Sequence, residues 1–103
     1  MRIISRTTLV RFWKKFPDAE QPLKFWFDEV RIAIWTSRNG LKKQYRNASI
    51  ITSKRVVFNI RGNSYRLVVD VEYKLGIVFI VWLGTHKEYD NINVKEIKYV
   101  KTN

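Results

Sequence analysis

"RVVFNIRGNSYRLVVDVEYKLGIVFIVWL", residues 55–83, sets the architecture of the chain. Its runs VVFNI, RLVVDVEY and IVFIVWL are rich in β-branched and aromatic residues, which suit a pleated, half-buried surface. The Gly62-Asn63 pair between the first two runs is a hairpin signal. A loop of those two residues pairs Arg61 with Ser64, Ile60 with Tyr65, Phe58 with Leu67 and Val56 with Val69. One face is then uniformly apolar. The other sets Asn59 opposite Arg66, Val57 opposite Val68 and Arg55 opposite Asp70. A slip of one residue would mix the two faces, so the alternation fixes this register. A second tight loop at Leu75-Gly76 pairs Val71 with Ile80 and Val69 with Trp82, and brings Thr85 opposite Arg66.

The residues before this block read as helices. Arg2 to Ile4 suits a short first strand. Ser5 is an N-cap for a helix whose apolar positions are Leu9, Phe12, Trp13 and Phe16. Pro17 ends it. A second helix starts near Glu20, with Pro22 in its first turn and a stripe of Leu23, Trp26, Phe27, Val30 and Ile34. The polar segment Thr36 to Ser53 accommodates a short helix through Leu41 to Tyr45.

The length, 103 residues, fits one domain spanning 1–103, and an apolar content of 46% supports a packed core. Cysteine is absent, which excludes disulfides and thiolate chemistry and suits a reducing cytoplasm. Arg6 and Arg11 interrupt the apolar start, so it does not read as a signal peptide, and no run is long enough to span a membrane. The formal net charge is +11. From Val30 to Val69 no acidic residue occurs, while Arg31, Arg38, Lys42, Lys43, Arg46, Lys54, Arg55, Arg61 and Arg66 all do. Such a block faces a polyanion, nucleic acid first, and Lys43, Arg46, Arg55 and Arg61 are expected among its contacts.

The lone histidine follows the last strand, in "THKEYD", residues 85–90. Those residues suit a single helical turn with Thr85 as cap, which puts His86, Tyr89 and Asp90 on one side. Histidine exchanges protons near neutrality. Arg66 offers a fork of donors for a phosphate. Tyr89 can hydrogen-bond or stack on a base, and Asp90 can orient the imidazole. These groups suffice to cut RNA without a metal: a base for the ribose 2′-OH, a cation for the phosphorane and an acid for the leaving oxygen. Zinc chemistry needs more ligands, no phosphate-binding glycine loop is present, and "DVEYK" lacks the upstream acid of a metal-dependent nuclease. No metal or other cofactor is expected.

"FPDAEQPLKFWFDEV", "QYRNASI", "RVVFNIRGNSYRLVV" and "GIVFIVWLGTHKEYD", in that order, resemble the HigB-type toxins of the RelE/ParE superfamily. The resemblance runs over roughly residues 1–92 and leaves the tail from Asn93 unmatched. It implies an α+β fold with two N-terminal helices packed on a curved antiparallel β-sheet, and a monomeric toxin. It implies an mRNA interferase acting in the ribosomal A site, and a helix-turn-helix antitoxin of the HigA kind that neutralises it. The positions carried over are Asn59, Asn63, Arg66, His86, Lys87 and Tyr89, the first two and Lys87 as RNA contacts. Two other readings remain: a non-catalytic RNA- or ribosome-binding inhibitor of translation, and a ParE-like gyrase poison.

Overall fold

A computed structural model describes residues 1–99; residues 100–103, the end of the expected domain, lie outside the described residues. The fold is mixed α+β, with one five-stranded sheet and several helices. In chain order these are β1 (Arg2–Ile4), α1 (Arg6–Lys15), a 3-10 turn (Pro17–Ala19), α2 (Glu20–Ile32) and α3 (Arg38–Gln44). Then come β2 (Ser49–Ile50), β3 (Arg55–Ile60), β4 (Tyr65–Glu72), β5 (Ile77–Thr85) and α4 (His86–Tyr89). The strand order is β1-β5-β4-β3-β2. No helix among the described residues is long and apolar enough to cross a membrane.

The sheet is not wholly antiparallel: β1 joins the edge of β5 in parallel, Ile3 opposite Val78. All the other strands and the first three helices lie between β1 and the end of β5, and a parallel pair needs such a long connection. The expected single helical turn, α4, follows the last strand.

Alternation on β3 and β4 divides the sheet into two faces. Val56, Phe58, Ile60, Tyr65, Leu67, Val69 and Val71 join Leu9 and Trp13 of α1 and Leu23, Trp26 and Val30 of α2 in one buried cluster. Trp26 meets Phe58 edge-on at 5.4 Å, the kind of aromatic pairing that fixes a helix over a strand. Arg55, Val57, Asn59, Arg66, Val68 and Asp70 take the opposite, outer face.

The β3–β4 register is the expected one, from Arg55 opposite Asp70 to Ile60 opposite Tyr65. The loop is longer than expected, Arg61 to Ser64, with positive φ at Arg61 (53°) and Gly62 (60°) and not at Asn63. The β4–β5 pairing departs further. Its turn is Tyr73 to Gly76, so Val71 faces Val78 and not Ile80. A bulge between Val68 and Val69 then takes up Val81: Val69 faces Ile80, while Val68 faces Trp82. The net slip puts Gly84, not Thr85, opposite Arg66. The added turn residues and the bulge act in opposite senses, which is why the expected pairing misses by one at this end.

Candidate functional site

The sheet delivers Arg66 to the top row of the outer face, between Asn59 of β3 and Gly84 of β5. Just beyond Gly84, the chain turns into α4. That turn is built by a capping box: the Thr85 hydroxyl accepts from the Glu88 backbone N–H at 3.1 Å, and the Glu88 carboxylate accepts from the Thr85 N–H at 2.8 Å. These bonds, the backbone one from Thr85 foremost, hold the Glu88 carboxyl below its ordinary range. The His86 N–H donates to the Ser64 carbonyl at 3.0 Å, tying α4 to the β3–β4 loop.

Arg66 and His86 are thereby brought into contact. Arg66 Nη2 lies 3.1 Å from His86 Nδ1, and His86 Nε2 lies 3.7 Å from an Asp90 carboxylate oxygen. A guanidinium donates only. In this contact Nδ1 therefore accepts, and the proton of the neutral ring sits on Nε2, toward Asp90. Arg66 Nη1 donates to the carbonyls of Asn63 (3.0 Å) and Tyr65 (3.3 Å). Of the roughly five N–H donors of a guanidinium, those bonds leave the Nε–H and one Nη2–H unengaged. The Arg66 guanidinium also stands over the Tyr89 ring, 5.9 Å from its centre. The His86 and Asp90 side chains are 53% and 63% exposed, so an incoming chain can reach both.

Trp82 closes one flank. Its ring lies 6.2 Å from that of Tyr89, and a Cβ added at Gly84 would meet it at 2.3 Å. Only glycine lets the indole lie across the strand beside Arg66.

The other flank is an open cleft of about 660 Å³ beyond the short β2, lined by Lys43, Tyr45, Arg46, Asn47, Asn59 and Asn63 among others. Lys42 shapes its wall by donating to the carbonyls of Arg46, at 2.7 Å, and Ala48. Tyr45 is the partition toward α2. It donates to Glu29 at 2.5 Å, and burial, with that hydrogen bond, drives its phenol far above the usual range. Lys43, Arg46, Asn59 and Asn63 thus share one cleft. Lys87 is exposed on α4. Arg61 turns the other way, toward Asp18 at 3.5 Å, and lines a separate groove with α2.

Arg55, expected to touch RNA, does not face the cleft. Its side chain is 8% exposed and donates to both Asp70 oxygens, at 2.8 and 2.7 Å, and to the carbonyls of Val94, at 3.0 Å, and Ile97. The cationic run placed it among the others, but the alternation of β3 puts it across from an acid, and the segment after α4 covers the pair. Two residues, Gly84 and Glu88, and one contact escaped the sequence reading. Glu88 was legible, because Thr85-x-x-Glu88 is a capping-box pattern. Gly84 inside an apolar strand also signals a close approach. The anchoring of the tail by Arg55 left no local sign.

A family model described as HigB_toxin, RelE-like toxic component of a toxin-antitoxin system, matches residues 19–92. No curated protein matches the chain.

Proposed function

The chain belongs to the RelE-like HigB toxin family, the toxic component of a toxin-antitoxin system, and from that premise we propose that it is a metal-independent endoribonuclease of messenger RNA. Its place of work is the cytoplasm, its substrate is presented by the ribosome in the A site, and a helix-turn-helix antitoxin neutralises it. The observation that carries the reading is the 3.1 Å contact between Arg66 and His86 at the end of the central strand, beside a cationic cleft.

The chemistry follows from those groups. A phosphate of the message takes the two unengaged N–H donors of Arg66. As the guanidinium turns to the phosphate it releases Nδ1, which accepts the proton of the adjacent 2′-OH. The 2′-oxygen attacks phosphorus, and Arg66 balances the charge of the phosphorane. In-line displacement sets the leaving 5′-oxygen on the far side of phosphorus, so a second group supplies its proton. Tyr89, whose ring carries the guanidinium, is the donor the turn provides. The P–O5′ bond breaks, leaving a 2′,3′-cyclic phosphate and a free 5′-hydroxyl. Asp90 steadies the imidazolium, while Lys43, Arg46, Asn59, Asn63 and Lys87 hold the flanking nucleotides.

The test is expression of the chain alone, with mapping of transcript ends. Cleaved messages with cyclic phosphate termini, insensitive to chelator, are expected, and His86→Gln should abolish them. Arrested growth with intact transcripts would point instead to steric blockade of the ribosome. DNA-damage signalling without RNA cleavage would point to gyrase.

A further inference from the structure

The matched residues end at 92, yet the segment beyond is fastened to the sheet. Ile97 and Glu96 close a turn onto the Asn93 carbonyl at 3.1 and 3.0 Å. Arg55 holds the carbonyls of Val94 and Ile97. Tyr99 meets Phe79 edge-on at 5.2 Å. Arg55, Asp70 and Phe79 form one row of the outer face. The next row contains Val57 and Val68, which are 2% and 0% exposed although they point away from the helix-side cluster. The chain after α4 therefore runs back over the outer face as a strap. Its fastening lies roughly 13 Å along β3 from the row that holds Asn59, Arg66 and Gly84.

The strap is continuous with α4. Ile92 donates to the Tyr89 carbonyl at 3.2 Å and Asn91 to that of Glu88 at 3.1 Å. A helix of a single turn does not hold its own conformation in water. The capping box and Ser64 fix only the front of α4. What fixes the back is the strap, and what fixes the strap is a buried guanidinium that makes four hydrogen bonds.

We infer that Arg55 is a positioning residue: by latching residues 94–97 to the outer face it holds the α4 turn so that His86 and Tyr89 stay in register with Arg66. The inference rests on His86 and Tyr89 being the reacting groups, but its geometry is read without any reaction. The chain has one histidine, so its imidazole gives one set of ring signals.

The experiment compares the full chain with Arg55→Lys and with Arg55→Met/Asp70→Leu. The double exchange removes both charges together, which folds more safely than leaving one ion buried without its partner. Arg55→Lys keeps a cation opposite Asp70 but cannot also reach two carbonyls, and it decides the matter should the double variant not fold. The amides of residues 94–97 should lose exchange protection, and the His86 ring signals should move toward those of a free, solvated imidazole. Cleavage should fall about tenfold in kcat with KM within about twofold, a loss of about 1.4 kcal/mol in the transition state. A folded variant with a released strap and unmoved imidazole signals would overturn the inference, as would a strap that stays protected, or a loss confined to KM. If neither the parent nor the variants cut RNA, the functional reading fails while the imidazole signals still decide the latch.

Discussion

The indole of Trp82 lies across the α-carbon of Gly84, at the point where β5 passes beside Arg66. Two residues apart on one face of a strand, they form a single unit: the ring flanks the site only because its neighbour has no side chain. Gly84→Ala should drive the ring off the strand and destabilise the fold by about 1–3 kcal/mol, as overpacking does. Thermal melting should show the loss, and Trp82→Leu in the same chain should recover most of it. A Gly84→Ala protein with unchanged stability and unchanged tryptophan emission would contradict this packing.

The donor count at Arg66 fixes the imidazole form. At pH 8, nitrogen-detected spectra of His86 should show the proton on Nε2, with Nδ1 unprotonated. His86→Gln and Arg66→Ala should each lower cleavage by about 10²–10⁴-fold. Neither side chain is in the core, so melting temperatures should stay near that of the parent. Full activity in both would dismiss the site.

Tyr89 has separable parts. Tyr89→Phe keeps the ring beneath Arg66 and removes only the hydroxyl, so cleavage should fall about 10²-fold with RNA affinity unchanged. Tyr89→Ala also removes the cation–π contact and should weaken RNA binding by a further ~0.5–1 kcal/mol. Equal activity of the parent and Tyr89→Phe would transfer the acid role to another group.

Charge in the cleft should be read through salt. Lys43→Ala and Arg46→Ala should each reduce the slope of log affinity against log salt by about 0.7 for single-stranded RNA. The rate at saturating RNA should hold. A slope that does not change would remove these side chains from the path of the message.

Acid should loosen α4 through Glu88. Its carboxyl is held low by the Thr85 N–H, so the box is fully formed above the unfolded carboxylate value, about 4.3. Stability from it is lost as pH falls through the lowered folded value. The protection of the Thr85 amide, relative to its intrinsic exchange at each pH, should therefore fall on acidification below the unfolded carboxylate range. Glu88→Gln keeps the accepting oxygen without titrating and should abolish that step.

Much of the fold was legible because alternation on β3 and β4 leaves one register that segregates Val56, Phe58 and Ile60 from Asn59 and Arg55. The β4–β5 pairing was not. A shift by two residues keeps every side chain on its face, and Val78 and Ile80 are equally apolar, so Val71 accepts either. The bulge was hidden for a similar reason, since Val81 looks like any other strand residue. The parallel β1 is three residues long, too short for a pattern. At the site, Arg66 and His86 were found together because one sits mid-hairpin and the other just past the next strand. The hairpin register already set Arg55 opposite Asp70, a pairing that the acid-free run of charges hides when it is read alone.

The extra residue at Val81 also gives the last strand slack. Deleting it would let β5 resume strict pairing with β4 without moving any partner: Ile80 stays opposite Val69, Trp82 opposite Val68 and Gly84 opposite Arg66. In-frame loss of this one codon should therefore leave a chain that accumulates to normal levels and still arrests growth.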